Sequence, residues 1–284
     1  MCPAVRSAAI DISCGHLIPA TLQGVVGMRP AVILSSDPRL SQRGIERPTH
    51  RVLCSPEVDD IARESPDAVI TEPWALIDCA KTRIDGVAID FEEVAGATLR
   101  RARRWLESHE GASARQAHLI IPTSWGNIRI GRAVSTAAYV GIEATPVRAA
   151  LLLSDALSSS FAKWNYTVEL SNKGAVVTLI HRQQRTLAII STRVVLRVDP
   201  DDDILDGFAA RVVDCIIVLR DSHRPAQSGS QEVLVCGQGA RAIVAECDAR
   251  RLLSFPVPAQ AIAEAAVTLP LPKKAGTRQI DDSM

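Results

Sequence analysis

The same order of predicted elements occurs twice along this 284-residue chain, and this repetition constrains the fold more than any other feature. In each half, several strands of alternating polarity precede a helix, a buried strand and a final helix. The halves share no repeat at the residue level, and a Ser-rich stretch at residues 158–163 separates them. The pattern predicts an α/β protein of two similar lobes, residues 1–158 and 159–284, with a polar tail from about residue 273.

In the first half, local patterns predict a hairpin, a long helix and a strand that leads into a helix. The hairpin is expected over 7–24 with its bend at 14–16, because Gly15 lies between two short apolar runs. The long helix is expected over 90–111, with acidic residues at its start and a glycine after its end. The other expected elements are a third strand (29–36), a loop (37–50), two short helices (57–66 and 72–83), a buried strand (117–125), a helix (127–141), and a short strand or turn followed by a helix (145–160).

The second half is expected to open with a three-stranded meander over residues 165–199. Its polar bends fall at 172–174 and 182–184, between runs of alternating residues. The elements expected after it are a helix (199–221), a strand (231–236) followed by the turn Gly237-Gln238-Gly239 and a helix, and a closing helix (259–272).

Charge and cysteine content exclude several classes of protein. Lys plus Arg equals Asp plus Glu, 32 against 32, so neither nucleic acid nor an anionic membrane is an expected partner. No run approaches the ~18 apolar residues of a membrane-spanning helix, and the N-terminus lacks the layout of a signal peptide. The seven cysteines are widely spaced, which favours free thiols in a reducing compartment over a zinc site or disulfides. The expected location is the cytoplasm.

The stretch LIIPTSWGNIRIGR (119–132) raises the question of a catalytic turn, because a buried strand there ends in a polar elbow before a helix. Ser124 does not lie in the G-x-S-x-G pattern of hydrolases, so we interpret it as a cap of the helix that begins near Asn127. Trp105 and Trp125 are expected to pack in the core. The basic run RRARR (100–104) is interpreted as the solvated face of a helix. No metal site is expected, since the acidic run 199–206 lacks the glycine and glutamate of a calcium loop.

The order of elements and several local strings resemble the actin-like ATPase superfamily, and in particular the nucleotide-binding domain of DnaK-type heat-shock chaperones. AIDISCGH (9–16) is similar to the first phosphate hairpin, with Asp11 where the family keeps an aspartate. The 119–157 region resembles the family's Val-Pro-Ala strand, the following helix and the connection to the second lobe. YTVELSNKGAVVTLI (166–180) is similar to the second phosphate hairpin, and EVLVCGQGARAIV (232–244) to the Gly-rich turn that faces adenosine. The resemblance implies a two-lobed fold, here with reduced outer subdomains. It also implies ATP with Mg²⁺ at Asp11, Gly237 and Gly239, if a nucleotide binds.

The chain departs from this family where phosphate would bind. Glycine-rich hairpins allow backbone N–H groups to approach phosphates, yet only Gly15 and Gly174 remain in the two hairpins. Glu169 stands where an aspartate is expected, and the acid that assists water in the connecting segment is replaced by Ala149, Ala150 and leucines. We therefore expect no catalytic residues, no cofactor and no hydrolysis. The expected function is that of a scaffold or interaction module, with an ATP-binding, weakly hydrolysing chaperone-like ATPase as the alternative.

A narrower resemblance suggests a biological setting. PTSWGNIRIGRA (122–133) on a chaperone-like core, in an Ala/Val/Arg-rich chain, is similar to the type VII secretion-associated proteins of mycobacteria and their relatives. In those proteins a domain of this kind precedes a membrane-anchored part. The resemblance implies a protein partner from a secretion system, and a tether to the inner face of the membrane through a part not included in this chain.

Overall fold

The structure is a computed structural model. It describes residues 8–13, 17–28, 32–36, 50–54, 58, 69–84, 87–110, 115–157, 162–184, 186–197, 205–223 and 231–270. Within these ranges the protein is a mixed α/β structure, as expected. The strands are β1 (Ala8–Asp11), β2 (Ile18–Thr21), β3 (Gly24–Val25), β4 (Ile33–Ser36), β5 (His50–Leu53), β6 (Lys81–Ile84), β7 (Val87–Asp90), β8 (Gln116–Ile121), β9 (Glu143–Arg148), β10 (Trp164–Ser171), β11 (Gly174–Gln183), β12 (Thr186–Leu196), β13 (Gln231–Cys236) and β14 (Ser254–Val257). The helices are a 3-10 turn (Pro73–Leu76), α1 (Phe91–Glu110), α2 (Asn127–Tyr139), α3 (Ala149–Leu157), α4 (Leu205–Ser222), α5 (Ala240–Ala249) and α6 (Ala259–Val267).

Two five-stranded sheets have the same strand order and the same strand directions. The first runs β3-β2-β1-β8-β9 and the second β12-β11-β10-β13-β14. In each sheet the first three strands pair antiparallel and the last two join in parallel. The repeated order of elements in the sequence therefore corresponds to a repeated sheet topology, with β1 and β10 in the central positions.

The central parallel strands carry continuous apolar runs because both of their faces are buried. Side chains alternate across a strand, so Leu119 of β8 packs with α1 and α2, while Ile120 packs with α3 and α6. In the second sheet, Val235 packs with α4 and α5, while its neighbour Cys236 faces α3 and α6. One apolar cluster around α3 and α6 thus contains residues of both sheets.

Two elements of the first half differ from expectation. Residues 33–36 do form a strand, but it pairs with β5 in a separate two-stranded sheet, and the third strand of the main sheet is β3. The helix expected over 72–83 is wrong beyond one 3-10 turn, because Lys81–Ile84 pairs with β7. Pro73 starts that turn and the chain leaves it within four residues, so the apolar spacing that suggested a helix serves a turn and a strand. The bend at 14–16, the loop at 37–49, the 57–66 helix apart from Val58, and the tail from 273 lie outside the described residues.

The interpretation of the arginine run of α1 (100–104) as a fully solvated face is also wrong. Arg103 is half-buried, and its Nη1 donates a 2.6 Å hydrogen bond to the carbonyl of Val140, just after α2 ends. Its Nε donates to Glu107 Oε1 at 2.7 Å. Arg104 is exposed as expected. The run therefore joins α1 to the carboxyl end of α2, where cations are favourable.

Most other expectations for buried residues are confirmed. Trp125 is 7% exposed, whereas Trp105 is only partly buried and stacks on His109 at 4.0 Å. Of the five cysteines within the described ranges, Cys54, Cys236 and Cys247 are buried. No helix in these ranges combines the length and apolar character needed to cross a membrane.

Candidate functional site

The elbow after β8 lies at the carboxyl end of the first sheet. The N–H of Trp125 donates to the carbonyl of Pro122 at 3.1 Å, which closes the turn. The helix α2 begins at Asn127 as expected, but the cap interpretation of Ser124 is wrong, because Gly126 is the N-cap and no side-chain oxygen caps the helix. A capping residue must directly precede the first helical residue, and Ser124 lies too far upstream. Its side chain instead lines a cleft.

Thr123 connects three elements at this elbow. Its hydroxyl accepts a hydrogen bond from the N–H of Ala150 at 3.0 Å, at the start of α3. Its carbonyl accepts from Nη1 of Arg148, a group that also donates to the carbonyl of Trp125 at 3.2 Å. Its own N–H donates to Oε2 of Glu169 on β10 at 3.0 Å. Thr123 thus joins the end of the first sheet to the central strand of the second.

Glu169 is a carboxylate in the middle of the core, 2% exposed. Oε1 has no hydrogen-bond partner among the described residues, while Oε2 accepts from Thr123. The pKa of Glu169 is raised to about 7. Burial is the main cause and the nearby charge of Asp11 adds to it, while the hydrogen bond from Thr123 and the charge of Arg148 act in the opposite direction. The side chain therefore changes its charge near neutral pH.

Asp11 occupies the corresponding end of the first central strand and is 1% exposed. Oδ1 accepts two hydrogen bonds of 2.7 Å, from the N–H and from the hydroxyl of Ser13. Oδ2 has no partner among the described residues. Burial raises the pKa of Asp11 to about 6, against the lowering effect of Ser13. Two buried carboxylates, one from each central strand, thus lie close enough to affect each other.

A cleft of about 460 Å³ opens beside Glu169. One wall contains Trp74 and Trp125, whose ring centroids are 6.3 Å apart. The opposite wall comes from the hairpin of β11 and β12 and includes Val194 and Leu196. The volume suits a small ligand or a single protein side chain.

The Gly-rich turn lies at a different cavity. Gly237 borders a space of about 500 Å³ together with Gln238, Met28 and Gln260. Its φ is +108°, and a Cβ there would meet the carbonyl oxygen of Leu170 at 2.5 Å, so close packing of the chain requires glycine. Gly239 has φ +88° with open space around it, at the N-cap of α5.

The residues that the resemblance groups at one nucleotide border two cavities. Asp11 lies near Glu169, and its neighbours Ile12 and Ser13 line the first cleft, whereas Gly237 lines the second cavity. Sequence reasoning missed the link from Glu169 to Thr123 and the role of Arg148. The sequence did contain one signal for this link: Glu169 is the only acidic residue in the apolar run of β10. Because charged residues are almost never fully buried without a partner, its position indicates a buried partner.

Among the described residues, no group of three or more His, Cys, Asp or Glu side chains is arranged to hold a metal ion. A scan against protein-family models and a search of curated proteins both find no match to this chain.

Proposed function

We propose that this chain is a two-lobed actin-like domain, of the kind found in DnaK-type chaperones but with reduced outer subdomains, that does not hydrolyse ATP. We propose that it acts as a scaffold or interaction module in type VII protein secretion, in the cytoplasm. The strand order and strand directions shared by the two sheets support the two-lobed part of this proposal.

The hydrogen bond from Thr123 to Glu169 is the observation that carries the proposal. It places a buried carboxylate of β10 against the backbone N–H that follows β8, so that it links the two sheets. Because the N–H of Thr123 already donates to Glu169, it is not available to a ligand phosphate. Phosphoryl transfer depends on backbone N–H groups and cations that surround phosphate. At this position the protein instead places the carboxylate of Glu169, which is negative when ionised.

The surrounding groups fit a nucleotide phosphate poorly. Asp11 and Glu169 each present an unpartnered carboxylate oxygen, which repels an anion once ionised. Arg148 donates to the carbonyls of Thr123 and Trp125, and Arg129, which lines the cleft, pairs with Asp78. Gly174 is required by the packing of its own hairpin, because a Cβ there would collide with the backbone of Val195. The residues present therefore do not hold a nucleotide in this cleft.

Further contacts hold the two sheets in a fixed relation. Nδ2 of Asn165 on β10 donates to the hydroxyl of Ser154 on α3 at 2.8 Å, and both side chains are fully buried. The apolar cluster around α3 and α6 draws on both sheets. A nucleotide cycle that opens and closes a cleft needs two arrangements of similar energy, whereas these contacts favour one.

An exposed apolar surface supports the interaction role. On β12, at the edge of the second sheet among the described residues, Ile190, Val194 and Leu196 are 40%, 55% and 67% exposed. Exposed apolar patches mark interaction sites more often than chance allows. The link to type VII secretion is supported by the 122–133 string alone.

Thermal unfolding with and without nucleotide tests the proposal. We expect millimolar ATP or ADP with Mg²⁺ to leave the Tm unchanged, whereas a ligand at a hundred times its Kd would add about 2.7 kcal/mol of stability. A clear rise in Tm would favour the ATP-binding alternative, which the Gly237 turn supports.

A second experiment addresses the partner. The chain would be purified from mycobacterial cells that express a type VII system, beside a Val194→Asp/Leu196→Asp double variant. A secretion component retained by the unmodified chain and lost with the variant is the expected result. A component retained equally by both would remove the β12 surface from the proposal.

A further inference from the structure

The cleft beside Glu169 has apolar walls and contains hydrogen-bond acceptors that receive no hydrogen bond from the described residues. Glu169 and Glu72 both line this cleft. The Oε1 atom of each is buried and has no hydrogen-bond partner among the described residues. A buried acceptor without a donor destabilises the protein, and more so when it is charged. A ligand that brings donors into the cleft would remove this cost.

The other charged groups facing the cleft leave it acidic. Asp78 and Arg129 form a two-point pair of 2.8 and 2.6 Å at its edge and neutralise each other. Lys173 is exposed at the tip of the hairpin between β10 and β11. Behind Glu169, Arg148 faces backbone carbonyls and Asp11 adds a second carboxylate. A positive group is therefore what the interior lacks.

The aromatic wall suits the same group. Trp74 and Trp125 are each 7% exposed and line the cleft beside Ile77 and Leu196. Indole faces attract cations, and more strongly where water is excluded. The Nε1–H of Trp74 has no acceptor among the described residues, and a peptide carbonyl would supply one.

We propose that this cleft binds a cationic group, a primary ammonium or a guanidinium, carried on an apolar stem. The cation would pair with Glu169 and Glu72, and the stem would lie against Trp74, Val194 and Leu196. Two sources offer this chemistry: a Lys or Arg side chain of a partner protein, and a free alkylamine. The Nε1–H of Trp74 favours the peptide, because it brings a carbonyl with the cation. The inference stands whether or not the chain acts in secretion.

Titration calorimetry at about pH 8 with matched probes tests this inference. Acetyl-Ala-Leu-Lys-Leu-Ala-amide is compared with the same peptide carrying norleucine for lysine, and hexylamine with hexanol. We expect the lysine peptide to bind more tightly than hexylamine, and both neutral probes to bind at least about tenfold more weakly. Binding by hexylamine alone would support the site and identify a free amine as its ligand. Equal binding of charged and neutral probes, or no binding by either cation, would overturn the proposal.

Single substitutions in the cleft test whether the lysine peptide binds there. Glu169→Gln keeps an acceptor for the Thr123 N–H and removes only the charge, so we expect it to fold and to weaken lysine-peptide binding by about tenfold or more. Glu72→Gln gives an independent second reading and should weaken it less. Glu264→Gln on the exposed face of α6 is the matched control and should have no effect. Unchanged binding in both cleft variants would overturn the assignment.

The pH dependence offers a further check. Burial holds the pKa of Glu169 at about 7, so binding of a cation requires loss of its proton. Between pH 6 and pH 8 we expect the affinity for the lysine peptide to rise about tenfold. A flat profile in the unmodified chain, or the same rise in Glu169→Gln, would contradict the role of this carboxylate.

Discussion

Thr123 donates its backbone N–H to Oε2 of Glu169 over 3.0 Å, across a separation of 46 residues. The bond joins the elbow after β8 to β10, and so connects the first sheet to the central strand of the second. Both partners are buried, at 3% and 2% exposure, which makes the bond costly to remove.

Replacing Glu169 with alanine should destabilise the protein more than replacing it with glutamine. Alanine leaves the Thr123 N–H buried without an acceptor, which costs about 1–3 kcal/mol, whereas glutamine retains a carbonyl oxygen there. Urea unfolding of both variants at neutral pH measures the difference. Equal free energies of unfolding would mean that the bond contributes nothing net to stability.

Stability should fall as the pH rises through the range where Asp11 and Glu169 ionise. Burial raises their pKa values from 3.8 to about 6 and from 4.5 to about 7. In this window the folded state holds protons that the unfolded state has lost, so each carboxyl lowers the free energy of unfolding by on the order of 3 kcal/mol across its window. Above the folded pKa values the loss is complete.

Isosteric variants isolate this effect from the other titrating groups. Glu169→Gln and Asp11→Asn should gain stability relative to the unmodified chain as the pH rises from about 4 to about 8. The measurement is the difference in free energy of unfolding at several pH values. A constant difference would show that neither carboxyl is perturbed.

The glycines of the turn after β13 should respond differently to alanine. At Gly237 a Cβ would meet the carbonyl of Leu170, and φ is positive, so Gly237→Ala should cost about 3 kcal/mol or more. Gly239→Ala meets open space and pays only for its positive φ, about 1 kcal/mol. Gly126→Ala, at the N-cap of α2 with φ −78° and open space, is the matched control and loses only through the poorer capping of alanine, about 0.5 kcal/mol. Thermal unfolding ranks the three, and equal costs at Gly237 and Gly239 would refute the packing argument.

Arg103→Ala should lower stability by about 1–2 kcal/mol, because the half-buried side chain bonds the carbonyl of Val140 and also Glu107. Arg104→Ala, on the exposed side of the same run, should change stability by less than about 0.5 kcal/mol. Chemical denaturation of both variants gives the comparison. Similar small effects would restore the view of the run as a solvated face.

Local patterns in the sequence were sufficient for most of the second half and for α1, β8 and α2. In these segments periodicity and turn residues act within a few positions, and the structure confirms the elements. The strands β6 and β14 were missed because each has only four residues, too few for alternation to compete with neighbouring helical spacing. The type of element was therefore predictable where the pattern was long.

The candidate site was less predictable, because it depends on contacts between distant parts of the chain. The sequence identified Asp11, Glu169 and the elbow separately, yet it assigned Ser124 to a cap and did not join Thr123 to Glu169. Nor did it indicate that Gly237 would line a cavity other than the first cleft. Such relations follow from tertiary packing, which local propensity does not encode.

The most direct test of the proposed function is calorimetric titration of the full chain with ATP and Mg²⁺ at neutral pH. We predict no saturable heat at millimolar nucleotide, because the Thr123 N–H already donates to Glu169 and the buried acceptors of the cleft are the carboxylate oxygens of Glu169 and Glu72. The same result is expected with ADP. Saturable one-to-one binding with a micromolar Kd would contradict the proposal and favour the ATP-binding alternative.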